Sequence, residues 1–296
     1  MAQLQNELAE KELIKKFRHD TSWLGELKPK QSWVNNDVIK IPRQGAAPEV
    51  LINNQVYPIV SNDRQDDHIV VSLNKYDTTN TTVSDDELYA LPYEKVNDVQ
   101  VQHREELEDQ TAVHALHSIA VAEGNDNTPV LETTGADDGT GRKRLTTKDL
   151  INFAKKLSDL KVPLAGRVMV LSNEHYYDLL LEDANREKVW GNPAEGALTQ
   201  NLAGFKLYSV VYSPTYTKVD GTWKKDAYGA VGAGKQASIA FYNKNAVKAT
   251  GSVARYAREA KNDPENRRNT IGFRLYFGAF AIKDEGFGAI VSGSAA

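Results

Sequence analysis

A chain of 296 residues, 41% of them hydrophobic, has enough apolar material for one large domain or two ordinary ones. Lys and Arg number 36 against 40 Asp and Glu, a formal net charge of −4 that gives no reason to expect tight nucleic-acid binding, and the absence of cysteine excludes disulfides, zinc–thiolate sites and a cysteine nucleophile. No run of about 18 apolar residues occurs, so no membrane helix is expected, and the opening M-A-Q-L-Q-N-E-L-A-E-K-E-L lacks the basic patch and apolar core of a signal peptide.

Residues 3–18 read as a short charged helix, with Glu7–Lys11 and Glu12–Lys16 at four-residue spacing. An extended segment with Trp23, Pro29 and Trp33 follows, and an arm of this kind is expected to pack its tryptophans against something else. From Asp37 to Leu73 the pattern becomes strand-like: V-I-K-I-P, E-V-L-I-N-N-Q-V-Y-P-I-V and H-I-V-V-S-L, broken by turn residues. These segments hold too few large residues for a core of their own, so a thin ribbon lying on a neighbour is expected.

Asn74 to Glu87 reads as a polar linker into a long helix from about Val96 to Glu123, with Gly124 as its stop. Ala112, Val113, Leu116, Ile119 and Ala120 form an apolar stripe in its second half, while Gln100 to Gln110 is mostly polar. At 1.5 Å per residue such a helix is about 40 Å long, which suits a spine laid across other elements or subunits. Gly124 to Arg144 reads as a second polar linker.

A compact α/β region then begins. Thr146 and Asp149 form a capping box for a helix whose buried face is Leu150, Phe153, Ala154 and Leu157. R-V-M-V-L is a buried-type strand, Ser172 caps N-E-H-Y-Y-D-L-L-L-E-D, and F-K-L-Y-S-V-V is another strand, an order that predicts a small mixed sheet with helices packed on it. After a glycine-rich hairpin from Tyr216 to Gly234, strands take over. In the last long one Ile271, Phe273, Leu275 and Phe277 alternate with Gly272, Arg274, Tyr276 and Gly278.

Chemistry-bearing patterns are weak. Gly229 to Lys235 has the spacing of a phosphate-binding loop, but Gln236 replaces the magnesium-binding Ser or Thr and a strand follows where a helix should. His114 and His117, with His103 further up, lack a third ligand at a telling spacing and read as helix contacts; His175 reads as a helix-surface residue. The acidic groups Asp85-Asp86-Glu87, Glu105-Glu106 and Glu108-Asp109 read as solvated charge, and no G-x-S-x-G turn is present. Arg142-Lys143-Arg144 and Arg267-Arg268 read as surface or intersubunit ion-pair partners. No enzyme, cofactor or metal site is expected.

The order of parts resembles the tailed-phage major capsid protein family, whose architecture is the Hong Kong 97-type fold. The stretches that carry the resemblance are H-I-V-V-S-L-N-K-Y-D-T-T-N-T-T-V-S-D-D-E-L, R-V-M-V-L-S-N-E-H-Y-Y-D-L-L-L-E-D, L-T-Q-N-L-A-G-F-K-L-Y-S, S-I-A-F-Y-N-K-N-A-V and Y-F-G-A-F-A-I-K-D-E-G-F-G-A-I-V. The resemblance implies an α+β fold with an N-terminal arm (1–36), an extended loop (37–73), a linker and spine helix of the peripheral domain (74–145), an axial domain (146–235) and peripheral strands (236–296). It implies pentamers and hexamers closing into an icosahedral shell around double-stranded DNA, without sequence-specific binding, in a virion assembled in the host cytoplasm. A separate scaffolding protein and a portal are implied partners, because the short arm leaves no room for a scaffolding segment, and nothing identifies a Lys and Asn pair for cross-linking. Trp23, Trp33, Lys40, Arg43, Tyr57 and Arg64 are the expected intersubunit contacts. The alternatives are an encapsulin-type nanocompartment shell of the same fold and, more remotely, a nucleotide-binding enzyme using Gly229 to Lys235.

Overall fold

The buried-type strand R-V-M-V-L lies at the centre of the architecture. A computed structural model describes residues 23–35, 37–43, 55, 58, 67–84, 95–182, 191–192, 197–198, 201–230 and 234–294. The first part of the chain supplies β1 (Lys28–Pro29), β2 (Val34–Asn35), β3 (Val38–Arg43), β4 (Asp67–Ser72), β5 (Asn74–Asp77), β6 (Thr81–Ser84) and helix α1 (Lys95–Ile119). The middle supplies β7 (Val130–Glu132), α2 (Thr147–Asp159), β8 (Arg167–Ser172), α3 (Asn173–Leu181), the short pair β9 (Gly191–Asn192) and β10 (Ala197–Leu198), β11 (Asn201–Leu202) and β12 (Phe205–Val210). The last part supplies β13 (Thr215–Val219), β14 (Thr222–Lys225), β15 (Lys235–Tyr242), β16 (Ala246–Arg258), β17 (Arg268–Ala281) and β18 (Gly288–Val291).

An eight-stranded mixed sheet runs β11-β12-β8-β15-β13-β14, with β18 added to β15 and β7 added in parallel to β18. Its central strands are buried on both faces, and their residues alternate between two cores. Val168 and Val170 of β8, Ile239 and Phe241 of β15, and Ala289 and Val291 of β18 join one core with Leu116, Ile119, Leu275 and Phe277. Met169, Leu171, Ala240, Tyr242 and Ile290 join the other, beneath Leu150, Phe153 and Leu157 of α2. The sheet is thus the middle layer between α2 and α3 on one side and α1 with a second sheet on the other. That second, five-stranded sheet runs β1-β16-β17-β5, with β6 also paired to β17.

Helix α1 ends at Ile119, short of the expected Glu123, because the chain turns there and Lys225 caps it, its Nζ donating to the carbonyls of His117 at 2.7 Å and Ala120 at 2.8 Å. Its buried residues Val99, His103, Leu107, Thr111, Ala115 and Ile119 form one unbroken row at four-residue spacing. Such a row runs inclined across the helix, by roughly 26°. The polar first half is therefore packed as well: Leu107 meets Ile271 and Phe273 of β17, and His103 lies 5.6 Å from the Phe273 ring.

Both segments expected as linkers contain strands. Asn74–Asp77 and Thr81–Ser84 pair with β17, and Val130–Glu132 pairs with β18. Their partners lie more than 150 residues away, so local polarity did not reveal them. A domain boundary between 235 and 236 does not separate the sheets either: β15 and β18 extend the sheet of β8 and β12, while β16 and β17 between them build the other. The helix expected over residues 3–18 and the strand E-V-L-I-N-N-Q-V-Y-P-I-V lie outside the described residues.

The capping box is formed as read: Asp149 N–H donates to Thr146 Oγ1 and Thr146 N–H to Asp149 Oδ2. The other end of α2 is closed by Arg167, a buried cation that donates to the carbonyls of Ala154, Val162 and Pro163 and to Ser158 Oγ. Replacing Arg167 by Met should cost about 3 kcal/mol, since buried carbonyls lose their donor, and Arg167→Lys should recover only part of it because an ammonium cannot match the planar fork. Urea unfolding midpoints of the three proteins measure both.

Candidate functional site

The enzyme-like patterns dissolve on the fold. Gly229 has a left-handed φ of 74° and lies in the connection from β14 to β15, and Lys235 opens a strand, so the loop has no helix N-terminus to face phosphates. His114 and His117 face the loop after β14. His114 Nδ1 is 2.6 Å from the Tyr76 hydroxyl and its ring 4.5 Å from that of Tyr228; His117 Nε2 donates to the Asp226 carbonyl at 2.9 Å. Burial lowers the pKa of both histidines and pushes the Tyr76 phenol up to about 12. Among the described residues no group of three or more His, Asp or Glu is placed to hold a metal ion.

One expectation is corrected. His175 is not a surface residue: it is 0% exposed, with Nδ1 2.7 Å from Ser238 Oγ and Nε2 2.9 Å from Ser292 Oγ, so it ties α3 to the interior of β15 and to the residue after β18. The Ser172 cap turns it inward, since the first helical turn lies over the sheet it has just left. Arg142, expected in a surface or intersubunit ion pair, is paired within the chain, clamped by both carboxylate oxygens of Asp178 at 2.7 and 2.9 Å and by Asp138 at 2.9 Å.

The expected contact residues divide. Trp23 is 3% exposed and stacks edge-on to Phe241 at 6.0 Å between centroids, so it is a core residue of its own chain. The physical reason is that its short helical turn, Trp23–Glu26, is held onto the sheet by Leu24, Leu27 and a Glu26 bond to Lys206 and Tyr208. Trp33 is half-buried under the Lys30 ammonium, 4.4 Å from its ring. Lys40 is exposed on β3, Arg43 ends that strand, and Tyr57 and Arg64 lie outside the described residues.

β3 and β4 form a ribbon whose base sits on the chain itself. Ile39 and Ile41 are buried with Leu73 and Ala249 beneath Tyr276 and Phe280. The opposite face, with Lys40 and a 54% exposed Val70, is open. Further large apolar side chains stand in solvent at the end of α3, Leu181 at 68% and Tyr177, and after β12, Tyr212 at 65% and Val211. Exposed apolar side chains of this kind suit association with another surface.

No known family matches the sequence, and no curated protein is similar to it. Solved structures match along nearly the whole chain. The capsid of the cyanophage P-SCSP1u superimposes with a TM-score of 0.67 at 13% identity, covering 91% of this chain and 87% of that one. The mature capsid of bacteriophage PhiM1 gives 0.62 at 12%, covering 92% and 87%. The virus-like particle from Pyrococcus furiosus gives 0.58 at 11%, covering 97% and 99%. The protein has the mixed α+β fold of phage capsid proteins.

His175 has a measurable consequence. Burial holds its pKa down at about 4, opposed by Asp178 and Asp149 and aided by Arg142, against an unfolded value of 6.5. A histidine kept neutral in the fold contributes fully above pH 6.5 and loses its contribution as pH falls towards 4, by up to about 3 kcal/mol. Urea midpoints of the wild type should therefore fall more steeply between pH 7.5 and 4.5 than those of His175→Gln, which keeps hydrogen-bonding atoms but does not titrate.

Proposed function

We propose that this chain is the major capsid protein of a tailed double-stranded DNA bacteriophage, a structural subunit without catalytic activity. The observation that carries the reading is the superposition on phage capsids over about nine-tenths of both chains, with TM-scores from 0.56 to 0.67 across the phages compared. On this reading the fold is of Hong Kong 97 type: α1 is the spine helix, β16 and β17 with their neighbours form the peripheral sheet, and the region built on β8, β12 and α2 is the axial domain. The arm before Trp23 and the ribbon of β3 and β4, with the loop between them, reach adjacent subunits in pentamers and hexamers. Trp33, Lys40, Arg43, Tyr57 and Arg64 are the proposed contacts, and Trp23 anchors the arm to its own subunit.

Physical support comes from division of labour. The two cores close within one chain, so the subunit folds alone, while the open ribbon face and the exposed apolar residues gain burial only from neighbours. The acidic balance suits a container that must release its DNA, since retention through phosphate contacts scales with basic charge. A separate scaffolding protein and a portal complete the proposed partners, with assembly in the host cytoplasm and residence in the virion.

The second reading, an encapsulin-type nanocompartment shell, is favoured by one observation: the Pyrococcus furiosus virus-like particle matches 99% of its own length. Particle contents separate the two readings.

Expression of the full chain, alone and with its scaffolding partner, should give capsomers or closed shells by light scattering and negative stain, and particles from infected cells should hold nuclease-protected DNA. Protein cargo without DNA would favour the nanocompartment. Deleting residues 44–66 should leave the melting temperature nearly unchanged and abolish shells, because the described cores are complete without them; an unfolded product would remove the ribbon from the assembly role.

A further inference from the structure

Where the ribbon leaves the subunit, one acidic residue joins three segments. β2 and β3 pair antiparallel with Asn35 opposite Val38, and Asp37, just before β3, takes the left-handed conformation with φ of 59°. Its carbonyl accepts the N–H of Leu73, the residue at which the returning strand β4 ends, at 2.9 Å. Both roots of the ribbon are thereby tied at Asp37.

The carboxylate holds the third segment. β16 and β17 pair without a break except between Thr250 and Val253, where Gly251 and Ser252 bulge out of register. Asp37 Oδ1 accepts the Ser252 N–H at 2.9 Å, and both carboxylate oxygens lie 3.2 Å from Ser252 Oγ. The neighbouring Thr250 is held by Gln31, whose amide oxygen accepts the Thr250 N–H at 3.2 Å and whose amide nitrogen donates to the Thr250 carbonyl. A Cβ on Gly251 would fall 2.4 Å from Asp37 Oδ1, 2.8 Å from Tyr276 Cβ and 2.9 Å from Leu73 Cδ1. The bulge frees one strand N–H from the β17 ladder, and glycine lets the carboxylate approach close enough to take it.

We infer that Asp37 is a positioning residue for assembly: its grip on the β16 bulge fixes the direction in which the ribbon leaves the subunit. The apolar base of the ribbon, Ile39 and Ile41 on Ala249, supplies adhesion but tolerates rocking, because apolar contact is non-directional. Charge-assisted hydrogen bonds are directional and add the constraint that adhesion lacks. A ribbon that must meet a neighbour several residues beyond its root magnifies any angular error there. The inference rests on the ribbon being the intersubunit element proposed above.

The sequence has no cysteine, so Val70→Cys on the open face of β4 and Lys244→Cys in the exposed turn after β15 accept two spin labels cleanly. Electron–electron distance measurements on the full chain should give one narrow distribution in the parent. Asp37→Gly, which keeps the left-handed backbone but loses the carboxylate, should broaden or shift it with the fold intact, and slow shell formation by roughly tenfold, the scale of a lost charge-assisted bond. Asp37→Asn, which keeps an acceptor and tolerates φ above zero, should stay near the parent, and Gly251→Ala should behave like Asp37→Gly. If Asp37→Gly does not fold, Ser252→Ala, at an exposed position, replaces it and should give a smaller broadening. An unchanged distribution in all folded variants would overturn the inference. The deletion of residues 44–66 separates the two ideas: shells from that deletion refute the ribbon's role itself, whereas no shells from it together with normal shells from Asp37→Gly refute only the clamp.

Discussion

Three strands, β8, β15 and β18, are buried on both faces, and the rest of the molecule depends on that placement. Period-two alternation sends Val168, Val170, Ile239, Phe241, Ala289 and Val291 one way and Met169, Leu171, Ala240 and Ile290 the other. Each face needs its own cover, α2 and α3 on one side and α1 with β16 and β17 on the other. A slip of one residue in any of the three strands would exchange its contributions between cores of different shape, so the register is specified from both sides at once. Gly288 tightens the arrangement further: a Cβ there would meet the Pro129 carbonyl at 2.5 Å and the Phe153 ring at 2.7 Å.

Helix α1 shows how a weakly amphipathic segment is held. Its buried row mixes Val99, Leu107, Ala115 and Ile119 with the polar His103 and Thr111, and His103 Nε2 is buried without a hydrogen-bond partner among the described residues. Thr111 returns its hydroxyl to the Leu107 carbonyl at 2.6 Å, and His103 packs its ring against Phe273. At the C-terminal end, the Lys225 ammonium and the Tyr216 hydroxyl take the free carbonyls of His117, Ala120 and Val121. The hairpin of β13 and β14, turned at Asp220 and Gly221 with φ of 49° and 81°, brings both residues there.

What the sequence disclosed was whatever is encoded locally. The Thr146–Asp149 box, the Ser172 cap, the R-V-M-V-L run and the alternation from Ile271 to Phe277 each carry their signal within a few residues, and each stands as read. The failures were all of long range. Asn74–Asp77 and Thr81–Ser84 are polar because they pair at the rim of β17, and Val130–Glu132 is too short to stand out without β18 beside it. The first half of α1 hid its buried row because His103 and Thr111 count as polar in any stripe. His175 and Trp23 were misplaced because burial depends on what lies above a residue, and Ser292, Ser238 and Phe241 are far away in sequence. The Asp37–Ser252 contact spans 215 residues and left no local trace in the sequence.

Those same distances explain how folding and association divide within one chain. Residues near the two termini, Trp23 and Val291, share one core with Val168 and Leu116, so much of the chain must be in place before the core closes. The described cores are then closed within the chain, and Arg142 is already neutralised by Asp138 and Asp178. Among the described residues, one face of the ribbon and scattered side chains such as Leu181 and Tyr212 remain open. On the capsid reading proposed above, association of such subunits draws on many weak, well-directed contacts repeated by symmetry. Direction is then as valuable as adhesion, and in this chain direction is set at the edge of a sheet, where a carboxylate, a bulge and a glycine meet, rather than in the cores that hold the fold together.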